Sequence, residues 1–210
     1  VSPDGRSIVL RRFLVLGAAL GVMALLPGPA GAEIAQWPGN GHWYEFVEIS
    51  VPWEDARFMA QSLTYIEDHG HLATITSQGE NDFIATTFAS GEAEFFAWIA
   101  GYEPADDGVW VWGAGPETGT QFSLFGVPTA PYSYANWGGI EPNDFAPGED
   151  FAAMNLGDTY ADILPGEWGD APDPGPDDPV RGYVVEYSPE SPVGSRSWSR
   201  IKSLFLDRTR

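Results

Sequence analysis

The sequence predicts an α+β fold: two helices packed on short antiparallel sheets, joined by long loops. Three observations lead there. Two segments before residue 90 repeat apolar residues at helical spacing. Beyond them, short aromatic and β-branched runs alternate with turn residues, as strands and their connections do. The 25 Gly and 18 Pro among 210 residues favour loops over long helices.

The elements follow in order. Arg6, Arg11 and Arg12 precede the apolar run Phe13 to Leu26, and "PGPAGA" follows it. A basic segment, a short apolar run and a small-residue site after Ala32 predict a signal peptide over 1–32. That implies an exported protein, periplasmic or secreted. Residues 33–40 read as a short linker. "GHWYEFVEIS" (41–50) carries strand-forming residues. Pro52 opens a helix with Glu54 and Asp55 in its first turn, and Ala56, Met59/Ala60, Leu63 and Ile66 mark its buried face. "HLATI" (71–75) reads as a strand. Ser77 then caps a second helix, with Glu80 three residues on completing a capping box. Phe83, Ile84, Thr87 and Phe88 form its apolar face. From "FFAWIAGY" onward come short strands and long loops, ending in the strand "GYVVEY" (182–187), and the Pro- and Asp-rich stretch 171–181 is an exposed loop. The tail 188–210 holds five of the ten Lys and Arg residues. It reads as a disordered or docked extension, with membrane contact through a basic amphipathic helix as the second reading.

Charge narrows the function. The chain carries 30 Asp and Glu against 10 Lys and Arg, and between Glu33 and Gly194 the only Lys or Arg are Arg57 and Arg181. Such a surface repels phosphate backbones, so nucleic acid is excluded as a partner. It suits Ca²⁺. There are no cysteines. An exported, loop-rich domain without disulfides needs another staple, and a bound metal serves.

The acidity concentrates in "EPNDFAPGED" (141–150), where four carboxylates and one carboxamide share ten residues with no cation. Taken alone, such a loop is more often solvated than metal-bound. Ca²⁺ takes six to eight oxygens from carboxylates, carbonyls and water. Glu141 and Asn143 flank a proline, Glu149 and Asp150 follow a Pro-Gly turn, and "GEWGD" adds Asp170 behind a Trp that anchors the loop.

Over residues 41–187 these motifs, taken together, resemble the C-type lectin-like domain family. The resemblance rests on "WEDARFMAQSL…GHLATITSQGENDFI", "WIAGYEPADDGVWVW", "YANWGGIEPNDFAPGED", "EWGD" and "GYVVEY", which stand in the family's order. It implies a bacterial, exported, single-domain member whose terminal strands pair and whose long loops bind Ca²⁺ and ligand. It places Glu141, Asn143, Glu149 and Asp170 at a Ca²⁺ ion that also binds a carbohydrate, with a cis bond before Pro142. Glu-Pro-Asn resembles the mannose-type pattern. A second, structural Ca²⁺ site is implied at Glu103, Asp107, Asp144 and Asp150, with Glu149 shared. One position departs: Trp168-Gly169-Asp170 stands where the family has Trp-Asn-Asp, which removes a metal ligand and a donor to the sugar. The family's disulfide positions carry Phe151 and Val185.

Other readings are weaker. Trp98, Trp110, Trp112 and Trp137 at strand spacing are core residues rather than sugar platforms. His69 and His71 lack a third ligand for Zn²⁺. Glu149 and Asp170 form a carboxylate pair of the glycosidase type, but a carboxylate on Ca²⁺ is a poor proton donor, so an enzyme is not expected. The alternative to a lectin is a Ca²⁺-stabilised module that binds an extracellular protein.

Overall fold

The computed structural model describes residues 33–145, 148–173 and 179–188. Residues 1–32, read as a signal peptide, residues 174–178 and the basic tail beyond Ser188 lie outside the described residues, and the stretch 171–181 read as an exposed loop is strand at its ends, with Ala171 closing one strand and buried Val180 opening another.

The strands are β1 (Ile34–Gln36), β2 (Trp43–Val47), β3 (Thr64–Tyr65), β4 (Asp68–Leu72), β5 (Phe96–Tyr102), β6 (Val109–Trp112), β7 (Gln121–Leu124), β8 (Val127–Pro128), β9 (Phe151–Asn155), β10 (Trp168–Ala171) and β11 (Val180–Ser188). The helices are α1 (Trp53–Ser62) and α2 (Gln78–Thr87). Strand order runs β1-β2-β11-β5-β6-β7-β8, with β9 on β5, β10 on β9, and β4 on β11. β11 pairs antiparallel with β2, opposing Val185 to Glu45, so the two ends of the domain meet in the sheet. The fold class is α+β, as the sequence predicts. Among the described residues no helix is long and apolar enough to cross a membrane.

The helices show where local signals hold and where they fail. Ser77 caps α2, and its hydroxyl accepts the Glu80 N–H at 3.4 Å. The Glu80 side chain does not reach back to complete the box. Its Oε2 accepts the Thr76 N–H at 2.9 Å and its Oε1 accepts the Tyr44 hydroxyl at 2.5 Å. Ile84 and Phe88 are buried, with Phe83 and Thr87 half-buried beside them. α1 begins after Pro52 as predicted, but its own cap makes no side-chain bond. Asp173 supplies one from 120 residues away, accepting the Trp53 N–H at 3.2 Å.

The reading that carries α1 through Leu63 to Ile66 is overturned. Leu63 is extended, and Ile66 is 73% exposed in a left-handed turn between β3 and β4. The β-branched and aromatic pair Thr64–Tyr65 joins a hairpin instead of another helical turn. The "HLATI" strand is likewise shifted. β4 ends at Leu72, while Ala73 and Ile75 are fully buried outside the strand. Residues 34–36, within the segment read as a linker, form β1 on β2.

The core holds most of the tryptophans. Trp53, Trp98, Trp110, Trp112 and Trp168 are essentially inaccessible, and Trp137 packs on them half-buried. Phe151, where the resemblance implies a cysteine, stacks on Trp53 at 5.1 Å and meets Trp98 edge-on. His71 is buried, its Nδ1 donating to Leu72 O and its Nε2 hydrogen-bonded to Ser188 Oγ, which is a structural use of that side chain.

Candidate functional site

Trp168 organises one end of the molecule. Its ring is wedged among Trp112, Phe122 and Trp137 at 5.9–6.1 Å. Its Nε1 donates to Asn81 Oδ1 at 2.8 Å, and its backbone N–H donates to Asn136 O at 2.8 Å. Asn81 and Asn136 also both donate to Gly166 O. The indole is thereby held in place, and so are Gly169 and Asp170 immediately after it.

The acidic loop is tied to that strand. Gly138 N–H donates to Trp168 O at 2.9 Å, and Glu141 N–H to Gly138 O at 2.7 Å. The Asp170 carboxylate accepts the Asn143 N–H at 3.0 and 3.1 Å and the Asp144 N–H at 2.8 Å. The Glu141–Pro142 bond is cis, as the resemblance implies, and so is Ala130–Pro131. From the other side, Phe125 and Gly126 form the two-residue turn of the β7–β8 hairpin, both with positive φ. A Cβ on Gly126 would stand 3.0 Å from Pro142 Cδ, so glycine lets the hairpin tip close on the Glu-Pro step.

Glu141, Asn143, Glu149 and Asp170 line one cavity of about 300 Å³. Glu141 Oε2 and Asn143 Oδ1 are buried there and accept no hydrogen bond. A buried polar atom left this way costs free energy comparable to a lost hydrogen bond. Burial pushes the Glu141 carboxyl up to about 8, and the neighbouring Asp170 and Glu149 carboxylates add to the rise. Among the described residues no Lys or Arg pairs with these carboxylates, and Arg57 pairs with Glu54, on α1. Carboxylate and amide oxygens pointed into one cavity form a hard-cation donor set, so the residues present fit Ca²⁺. Among the described residues no three His, Cys, Asp or Glu side chains already stand close enough to chelate an ion.

The second predicted set is more open. Asp107, Glu103, Asp144 and Asp170 share a cleft of about 390 Å³ with Asp106, and Asp106, Asp144 and Asp150 share another of about 380 Å³. Glu103 accepts the Gly108 N–H, and its own N–H donates to Asp150 O at 2.8 Å. Asp107 is used locally, accepting the Val109 N–H at 3.1 Å. Asp106, which sequence reasoning passed over, stands in both clefts. Burial raises the Asp150 carboxyl, and Asp106, Asp144, Asp170 and Asp173 raise it further. Burial also raises Glu103, against the pull of the Gly108 and Asp107 amides.

Sequence reasoning also missed the positioning asparagines. Asn155 is fully buried, donates to Asp158 O and Ile163 O at 2.9 and 3.1 Å, and accepts the Gly157 N–H at 2.9 Å. The available signal was a polar residue closing an apolar strand, "FAAMN", and another, Asn81, inside the capped turn of a helix.

No protein-family model matches the chain. Halomucin of Haloquadratum walsbyi is 35% identical over 148 residues, 70% of this chain, and the chain spans about 1% of that protein's length. Solved structures are similar across most of the chain at low identity. An EPNH mutant of CEL-I superposes with a TM-score of 0.53, is 19% identical, and covers 78% of this chain and 99% of its own. A complex of SPL-1 with GlcNAc gives 0.52 at 22% identity, covering 75% and 93%. The mouse scavenger receptor C-type lectin carbohydrate-recognition domain gives 0.50 at 21%, covering 75% and 95%.

Proposed function

From the C-type lectin-like fold that this chain adopts, we propose a Ca²⁺-dependent carbohydrate-binding protein of the mannose type, exported and non-enzymatic. Glu141, Asn143, Glu149 and Asp170 hold the ion, and two neighbouring sugar hydroxyls complete its coordination. The observation that carries this is the pair of buried, unpartnered oxygens, Glu141 Oε2 and Asn143 Oδ1, in one cavity with two further carboxylates. Asp170 also fixes the backbone of Asn143 and Asp144, so the donor loop is organised before any ligand arrives. Its arrangement binds rather than reacts, because a carboxylate neutralised by Ca²⁺ neither donates nor takes a proton readily. The clefts around Asp106, Asp144 and Asp150 are the place for a second, structural ion.

The test is a glycan array read with Ca²⁺ and with chelator, followed by calorimetry on variants. Glu141→Gln and Asn143→Asp are expected to abolish or redirect sugar binding while the fold persists. Asp107→Asn is expected to spare sugar binding and weaken Ca²⁺-dependent stability. Equal behaviour of all three would overturn the division between a binding ion and a structural one.

Gly169→Asn tests the departure from Trp-Asn-Asp. Gly169 lies in β10 outside the left-handed region, so the backbone accepts a side chain. A Cβ there meets Ile163 Cδ1 at 3.0 Å, a terminal methyl that must yield slightly. The added carboxamide offers one oxygen to the ion and one donor to a hydroxyl, worth about 0.5–1.5 kcal/mol per bond. Mannose affinity is expected to rise a few-fold to about tenfold by calorimetric titration. Tighter Ca²⁺ binding with no sugar binding at all would favour the second reading, a module that docks protein. One observation supports that reading: Phe145 within the acidic loop and Phe125 and Ile140 beside it are 89%, 73% and 79% exposed.

A further inference from the structure

The cavity that gathers the four candidate donors also has an apolar lining. Phe96, Ala153, Tyr160 and Ile163 form it. Phe96 and Ile163 are buried, and the Phe96 and Tyr160 rings meet edge to face at 5.8 Å. This wall is built. Tyr160 and Ile163 exchange backbone hydrogen bonds at 3.1 and 2.9 Å, and Asn155 holds Ile163 O at 3.1 Å. Gly169 stands at the junction, because a Cβ would point between Ile163 Cδ1 at 3.0 Å and Glu141 Cδ at 3.8 Å. Its backbone is extended strand, so no turn or positive φ explains the glycine. A side chain at this position would enter the cavity between the apolar Ile163 and the carboxylate Glu141.

We infer that Gly169 joins the cation site to an apolar annex, and that the ligand is a neutral sugar carrying a short acyl group that enters it. This inference rests on the cation-site reading above. Hydroxyls coordinate the ion at one end; at the other, the side chains of Phe96, Ala153 and Ile163 are hydrocarbon, which rewards a methyl group over a hydroxyl. Among the described residues no Lys or Arg lines the cavity, so an acidic sugar finds no side-chain counter-charge there. Burying the acyl methyl is expected to tighten binding about fourfold over the parent sugar.

The experiment titrates the full chain in excess Ca²⁺ with methyl α-mannoside, its 2-acetamido analogue and its 6-O-acetyl derivative. At least one acetylated ligand is expected to bind about fourfold tighter than the parent. It should also shift the Ile163 δ1 methyl resonance in NMR, where the parent does not. Gly169→Ala narrows the annex and should remove the preference, read as the ratio of acetylated to parent affinity within the same variant. Should that variant fail to fold, Ile163→Ala widens the annex, and the preference should move to a butanoyl derivative. Equal affinities for all three ligands, or a preference undiminished in both variants, overturn the annex alone. Absence of any Ca²⁺-dependent sugar binding overturns the cation-site reading, and the annex with it.

Discussion

Excess Ca²⁺ is expected to raise the melting temperature by about 5–10 °C over chelator-treated protein. An ion that binds only the folded state stabilises it by about 2.7 kcal/mol at a hundredfold excess over its dissociation constant. For a domain of this size each kcal/mol moves the midpoint by about 2–4 °C. Several features of the chain point the effect this way. Glu141, Glu149 and Asp170 crowd one cavity and Asp106, Asp144 and Asp150 another, and burial with mutual repulsion raises Glu141 and Asp150. There is no cysteine to cross-link the loops. Calorimetric melting curves in Ca²⁺, Mg²⁺ and chelator decide it, with Mg²⁺ expected to do less because it demands a stricter octahedral shell. Superimposable curves in Ca²⁺ and chelator would remove metal from the account of this fold.

How much of this was legible in the sequence depends on the distance over which each signal acts. The start of α2 was readable because Ser77 and the Glu80 amide lie within one turn. That Glu141, Asn143 and Glu149 line one cavity with Asp170 was foreshadowed because the first three sit in one short acidic stretch, and Trp168 announces its own burial. The end of α1 was not. Leu63 and Ile66 continue the helical spacing, and only the pairing of Thr64–Tyr65 with Asp68–His69 shows that the chain has turned. β1 was missed for the same reason, since Ile34–Gln36 is a strand by virtue of its partner β2. Asn81 and Trp168 are 87 residues apart, and Glu80 turns away from its own cap to meet Tyr44. Both outcomes are set by packing, where a buried polar group takes whichever partner the core brings to it.

That redirected Glu80 gives the last expectation: Glu80→Gln is expected to stabilise the protein above neutral pH and to leave it nearly unchanged in acid. The side chain is buried beside Tyr44 of β2, Thr76 before α2, Asn40, and Glu186 of β11. Burial pushes its carboxyl up to about 7, and the Glu186 charge adds to this, against the donors Tyr44 and Thr76. A raised carboxyl means the folded state holds a proton that the unfolded chain releases. Its favourable contribution is complete below the ordinary value of 4.5 and is lost as pH climbs to about 7. Glutamine keeps the neutral form at every pH, so the variant-minus-wild-type difference grows across that window, to on the order of 3 kcal/mol. The neighbours titrate in both proteins. Burial pushes Glu186 up, but the His42 hydrogen bond at 2.6 Å, the His71 charge and the Thr74 amide hold it below its usual range. Glu186 in turn raises His42. Glu186 therefore adds stability above its ordinary range, and His42 loses its share as pH rises through its raised value. Taking the difference between the two proteins largely removes these shared terms. Urea unfolding of both proteins at pH 4, 5.5, 7 and 8 measures it. A difference that stays flat from pH 4 to 8, or a variant that weakens as pH rises, would show that Glu80 is at ease as a carboxylate among these partners.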